Sequence, residues 1–239
     1  MGAHDEGRLD ISGEAGNVWA LVAAAGSGER LGIDRPKAFA ALAGRPLLAE
    51  SLDRLDRCPW VDAIVVAAPP GWEEPAILLS EELAANKVVA CVTGGVSRAD
   101  SVREALAEVA DEALVVLVHD AARPLVTDEL VERVLGPLSE GNDGVVPALP
   151  VHDTLKRVDG GHVLETVDRD GLVSVQTPQV FLADMLRRAY AVDSSGATDC
   201  ASLVETMGGQ VAVVEGDPRL LKVTTAADLA LVEALLASG

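Results

Sequence analysis

The residues best placed to do chemistry lie just after a short apolar run. Between Ala23 and Lys37 the chain carries Gly26, Gly28 and Gly32, with Arg30 and Lys37 beside them. Glycine lets main-chain N–H groups come close to an anion, and a glycine-rich turn at the carboxyl end of a first parallel strand is where α/β sheets hold phosphates. Two common fingerprints fail. G-x-G-x-x-G needs glycine at position 31, which is Leu31, and G-x-x-x-x-G-K-[ST] needs Gly-Lys at 31–32. Arg30 and Lys37 make the turn a local positive site; a triphosphate, with roughly four negative charges, needs such cations and a metal close by. The plain alternatives are a glycine turn that only reverses the chain, and two cations that only pair with surface carboxylates.

A second group follows another apolar run: His119, Asp120, Ala121, Ala122, Arg123 and Pro124. A carboxylate at the end of a buried strand can hold a metal or a substrate hydroxyl, and the planar fork of Arg123 can grip an anion. His119 has no second histidine at metal spacing, so it reads as a packed, hydrogen-bonded residue. No G-x-S-x-G elbow exists to support Ser-His-Asp hydrolysis. Cys58, Cys91 and Cys200 are an odd number at wide spacing without a CxxC pair, which fits a reduced cytoplasmic protein lacking structural zinc.

Both groups need elements that bring them to one edge. Val18 to Ala24, Ala63 to Ala68, Lys87 to Val92, Leu114 to His119 and Val211 to Glu215 are β-branched runs without strict alternation, as expected of strands buried on both faces of a parallel sheet. Between them, Leu47, Leu48, Ser51, Leu52 and Leu55 have helical spacing, as do Val102, Ala105, Leu106 and Val109, and Leu130, Val131, Val134 and Leu135. Pro46 fits a first helical position, Thr127 with Asp128 a helix start, and Thr225 with Asp228 a capping pair. The alternation predicts an α/β fold, a mainly parallel sheet with helices on both faces. Between about Pro150 and Gln176 the rhythm breaks into alternating residues around Gly160-Gly161, predicting a β-arm with little core of its own that packs on a second copy of the chain.

Composition narrows the partners. Among 239 residues, 19 Lys and Arg face 38 Asp and Glu, a formal charge of −19, which argues against binding nucleic acid or an anionic membrane. Aromatics at 3% leave few rings on which a single-strand binder could stack bases. Residues 1–17 are polar and acidic, unlike a secretory signal, and read as a loose tail ahead of one domain over 18–239. No apolar run reaches the ~20 residues of a membrane span.

Seven segments in order, VAAAGSGERLGIDRPKAF, TGGVSRADSV, VHDAARPLV, VHDTLKRV, TVDRDGLVSVQTPQVF, ATDCASLVE and LLKVTTAADL, together resemble the 2-C-methyl-D-erythritol 4-phosphate cytidylyltransferases of the non-mevalonate isoprenoid pathway. The resemblance runs from about Val18 to the C-terminus. It implies a Rossmann-like nucleotidyltransferase fold, a homodimer clasped through the 150–176 arms, and cytidylyl transfer from CTP to methylerythritol phosphate with Mg²⁺. It further implies that Ala24, Ala25, Gly26, Arg30 and Lys37 bind the triphosphate and base, Gly95 and Ser101 the cytidine, and Asp120 and Ala121 the nucleotide and its metal. Arg123, Thr154, Arg169, Thr177 and Lys222 would hold the acceptor or the reacting phosphate, with Thr154 and Arg169 lent by the partner subunit. Arg30, Lys37 and Lys222 are the expected catalytic cations. Val96 stands where many relatives have Asp, and Cys200 where an acidic residue is usual; the latter is expected to touch only helix-start electrostatics. Ribitol 5-phosphate is the competing acceptor, and a nucleotide-sensing regulator without transferase activity is the alternative from another class.

Overall fold

A computed structural model describes residues 18–192 and 197–238; the 1–17 tail lies outside the described residues. The strands, in chain order, are β1 (Val18–Ala23), β2 (Ala41–Leu42), β3 (Arg45–Pro46), β4 (Ala63–Ala68), β5 (Val88–Thr93) and β6 (Val115–Asp120). Then come β7 (Gly144–Pro150), β8 (Leu155–Asp159), β9 (His162–Val167), β10 (Val173–Val175), β11 (Gln179–Leu182) and β12 (Val211–Glu215). The helices are α1 (Leu47–Arg57), α2 (Glu73–Glu82), α3 (Arg98–Leu106), α4 (Asp128–Leu135), α5 (Ala183–Tyr190), α6 (Cys200–Thr206) and α7 (Ala226–Ala237).

The expected α/β architecture is present. β5, β4, β1 and β6 run parallel, in that order, through the sheet. β11 then lies antiparallel between β6 and β7. β12 pairs parallel with β7, and β10 pairs antiparallel with it; both meet Ala148, so they occupy opposite edges of β7. Because the strands are covered on both faces, their residues alternate between two apolar layers. Ala20 and Val22 of β1 pack with Leu48, Leu52 and Leu55 of α1 and Leu130, Val131 and Val134 of α4. Leu21 faces Val102 and Leu106 of α3, Leu186 of α5 and Val204 of α6. Those of α1, α3 and α4 are positions whose spacing reads as helical in the sequence, whereas α5 and α6 are not anticipated there; burying such a stripe is what holds a short helix in place.

Helix starts follow side-chain chemistry. Ser97 and Asp100 form a reciprocal capping box on α3, Thr225 and Asp228 another on α7, while Thr127 and Asp199 each accept an N–H in the first turn of α4 and α6. Pro46 differs from its sequence reading. It sits ahead of α1 in an extended conformation (φ −58°, ψ 145°), because it pairs with Ala41 across a small hairpin whose tip, Ala43-Gly44, has positive φ.

The excursion after β7 is shorter than 150–176. Pro150 is still in the sheet, and Val173–Val175 rejoins it against β7. Between them β8 and β9 pair with each other around Gly160-Gly161, both at positive φ, as a tight hairpin requires. Val158, Val163 and Leu164 on this hairpin are 62%, 60% and 61% exposed.

Candidate active site

The turn after β1 is folded back on Lys37. Ala24 N–H continues the sheet by donating to Ala67 O at 3.0 Å, and Lys37 N–H then donates to Gly26 O at 3.1 Å. Gly28 has φ +78°, and a Cβ there would lie 3.0 Å from the Lys37 backbone nitrogen, so only glycine lets the turn close. Gly94 faces this turn from the loop before α3, where a Cβ would strike Ala25 Cβ at 2.4 Å, while a Cβ on Gly95 would strike Asp100 Cβ of α3 at 2.2 Å. Two glycine-bearing loops are thereby packed face to face at the carboxyl ends of β1 and β5.

A cleft of about 470 Å³ opens between them. It gathers Ala24, Ala25, Gly26 and Lys37 from the first turn with Gly95 and Ser101 from the second. Asp120 and Ala121 at the end of β6, and Lys222 from the segment before α7, complete the wall. Arg30 is exposed and lines an adjoining recess that shares Gly26 and Lys37 with the cleft. Val96, one of the two departures, is fully exposed at the rim. Four expected contacts stand elsewhere. Thr154 and Arg169 are exposed on the arm, where Arg169 donates to His152 O. Arg123 and Thr177 lie behind the wall, turned to protein groups.

Asp120 is the electrostatic centre. Its Oδ1 accepts from Arg98 Nε at 2.8 Å and its Oδ2 from Lys222 Nζ at 2.6 Å. Burial alone would raise this carboxyl, but Arg98 and then Lys222 outweigh it and hold Asp120 well below the usual carboxylate range. Lys37 shows the complement. Burial first, then the like charges of Lys222, Arg30 and Arg123, lower its ammonium to about 8, with Asp120 opposing the change. A buried ammonium lowered in this way by neighbouring cations favours a bound anion, since a phosphate would relieve the repulsion.

His119 and Thr177 buttress Asp120 from behind. His119 Nε2 lies 3.0 Å from Arg123 O, so it carries the proton, leaving Nδ1 to accept the Thr177 hydroxyl at 3.2 Å; Thr177 Oγ1 in turn accepts Asp120 N–H at 3.1 Å. Burial pushes the imidazole down to about 4, so it stays neutral, the packed role its sequence context predicts.

Arg98 is the residue the sequence reading missed. A cation in the first turn of a helix faces the positive end of the helix dipole. That misfit is the signal, for it implies a tertiary carboxylate, here Asp120. Its Nη1 also lies 3.4 Å from Cys200 Sγ, and the Tyr190 hydroxyl lies 3.2 Å from the same sulfur. Cys200 therefore does more than alter a helix start. Burial raises its thiol pKa, so it is a neutral neighbour to Arg98, which keeps Asp120 as its ion-pair partner.

Among the described residues no three His, Cys, Asp or Glu side chains gather as a metal-binding group. A lone Asp120 carboxylate fits a hard cation that takes its other ligands from phosphates and water, rather than one caged by protein.

Comparison with known proteins agrees with this geometry. A family model described as 2-C-methyl-D-erythritol 4-phosphate cytidylyltransferase matches residues 18–238. The chain is 49% identical over 222 residues to a protein of that name from Frankia casuarinae, covering 92% of this chain and 81% of the relative. It is 50% identical over 222 residues to one from Nocardia farcinica, covering 92% and 94%. The crystal structure of 2-C-methyl-D-erythritol 4-phosphate cytidylyltransferase from Thermus thermophilus superposes with a TM-score of 0.74 at 35% identity, over 91% of this chain and 98% of that one. That of the Francisella tularensis enzyme does so with a TM-score of 0.78 at 29% identity, over 91% and 99%. With the match running from the first strand to the last helix, the chain belongs to the 2-C-methyl-D-erythritol 4-phosphate cytidylyltransferase family.

Proposed function

We propose that this protein transfers the cytidylyl group of CTP to the phosphate of 2-C-methyl-D-erythritol 4-phosphate, giving 4-diphosphocytidyl-2-C-methyl-D-erythritol and pyrophosphate for isoprenoid precursors. The observation that carries this reading is the cation cluster of Lys37, Lys222 and Arg30 around the Gly26 turn, in a chain of formal charge −19.

The acceptor phosphate is mostly a dianion at neutral pH, its second pKa being about 6, so its oxygen attacks without a general base. The work left to the protein is to hold two anions in line and to place positive charge where the α-phosphorus becomes five-coordinate. Lys37 and Arg30 serve the triphosphate. Lys222, held at the cleft by Asp120, serves the reacting phosphate. Ala24, Gly95 and Ser101 surround the base with neutral groups, which can reject uracil because it reverses donor and acceptor at its 4-position. A divalent metal, taken as Mg²⁺ and held by Asp120 with the nucleotide phosphates, would neutralise charge on those phosphates. Arg123 and Thr177 serve the acceptor side in this reading, Arg123 through its buried Nε–H, which has no partner among the described residues, and Thr177 by fixing Asp120.

The exposed apolar hairpin supports a homodimer, since Val158, Val163 and Leu164 have no cover among the described residues. In that dimer Thr154 and Arg169 would reach the partner's acceptor. The three cysteines are free, in keeping with the cytoplasm, and no helix among the described residues is long and apolar enough to cross a membrane.

The test is pyrophosphate release from CTP and Mg²⁺ with methylerythritol phosphate or ribitol 5-phosphate as acceptor. Release with the former at the higher kcat/KM is expected. A preference for ribitol 5-phosphate would replace the acceptor, and CTP binding without release from either would replace catalysis with sensing.

A further inference from the structure

Gln176 sits where the arm returns to the sheet. It follows β10 directly, its N–H donates to Pro147 O at 2.7 Å, and its side chain is buried. The carboxamide is turned to the segment between β12 and α7, which has no helical or strand pairing of its own. Nε2 donates to Asp217 O at 2.9 Å and reaches Leu220 O at 3.4 Å, while Oε1 accepts Asp217 N–H at 3.0 Å. One side chain thus supplies both halves of a strand-like bridge. Only an amide offers donor and acceptor side by side at this reach. Gly216 leaves room for it, because a Cβ there would lie 2.3 Å from Oε1.

Lys222 follows within this same segment. Leu220 O also accepts from Arg123 Nη1 at 2.8 Å, and Val223 N–H donates to Ala122 O at 2.8 Å. Between those ties the Lys222 ammonium meets Asp120. A lysine stem has four flexible carbons, so where its ammonium spends its time depends on where the backbone is pinned. The Asp217 end is pinned by Gln176 from the sheet, and the Val223 end by the chain just after Asp120.

We propose that Gln176 is a positioning residue for the transfer reaction: through Asp217 and Leu220 it fixes the backbone from which Lys222 reaches the reacting phosphate. The inference rests on the reading of Lys222 as a substrate-side cation. Gln176 itself is buried and is not among the residues that line the cleft. Because it adjoins β10, the strand that brings the arm home, the anchor of Lys222 and the root of the arm share one stretch of backbone.

The experiment is a double-mutant cycle on the full-length enzyme, following pyrophosphate release at saturating CTP with unsubstituted enzyme alongside. Gln176→Leu keeps the bulk and removes the bridge. It is expected to lower kcat by about 10²-fold, the scale of a roughly 1 Å misplacement, while far-ultraviolet circular dichroism stays native. In a Lys222→Ala background, assayed at high enzyme concentration for the residual rate, the same change is expected to cost no more than about twofold, since residues acting as a unit are not additive. Gly216→Ala, which crowds the amide from the other side, should repeat this pattern and stands in if Gln176→Leu does not fold. Full activity of both variants, or an equal loss with and without Lys222, would overturn the inference. Silence from the unsubstituted enzyme would instead strike the transferase reading on which it rests.

Discussion

Lys37 concentrates the chemistry of the site in one side chain. Its backbone closes the glycine turn, and its ammonium is depressed to about 8 by burial and by neighbouring cations. The free enzyme therefore holds Lys37 charged below about pH 8 and loses that charge as pH rises through it. On the proposal that this cation receives the triphosphate, kcat/KM for CTP should fall on the alkaline side with a midpoint near 8, and Lys37→Arg, which cannot be neutralised in this range, should flatten that limb. Lys37→Ala should lower kcat by roughly 10²- to 10³-fold, as removal of one prepared donor does. An unchanged alkaline limb in Lys37→Arg would detach Lys37 from the triphosphate. The neighbourhood of Lys37 was legible because local sequence carries it: glycines and cations within a dozen positions read as an anion turn, and the structure brings Gly26 and Lys37 into one cleft. Gln176 was not, because its partner Asp217 is distant in sequence, and Arg98 carried only the misfit of a cation at a helix start, which does not name Asp120 as its partner.

Elements were legible where one rule sufficed. β4 and β12 begin and end where their β-branched runs do, and the stripes of α1, α3 and α4 face the core as their spacing implies. β7 was not legible, since Pro147 and Pro150 break its run, and β11 is four residues whose strand character comes from its place between β6 and β7. The β8–β9 hairpin was marked by its glycine pair, and its Thr154 and Arg169 stand apart from the cleft of their own chain. If the arm serves a partner, mixing Arg169→Ala with Lys37→Ala subunits should restore activity, because exchange builds some sites that lack neither residue. No recovery after exchange verified by mass spectrometry would assign each site to a single chain.

At the scale of the whole molecule, the buried platform beneath Asp120 ties catalysis to stability. His119 is held neutral, down to about 4, whereas in the unfolded chain it binds a proton near 6.5. The unfolded state thus takes up a proton that the fold refuses as pH drops from 6.5 toward 4. Stability from this group is full above 6.5, declines by about 3 kcal/mol across that window, and levels off below it, where the folded imidazole also protonates. Asp120, depressed instead, keeps its contribution until pH falls below the ordinary carboxylate range near 4. Urea unfolding from pH 7 to about 3 should show the first slope above pH 4, and His119→Gln should abolish it while keeping the loss below pH 4. A slope that survives in His119→Gln would place the acid sensitivity elsewhere.

One body of net charge −19 must also admit two anions, and whether it does so at the Gly26 turn is open to direct view. The deciding measurement is a crystal structure of the protein with CTP and Mg²⁺. It should show the triphosphate in the glycine turn with Lys37 and Arg30 on its oxygens and the cytosine between Ala24 and Ser101. A nucleotide whose phosphates lie outside that turn, touched by none of these cations, would contradict the account.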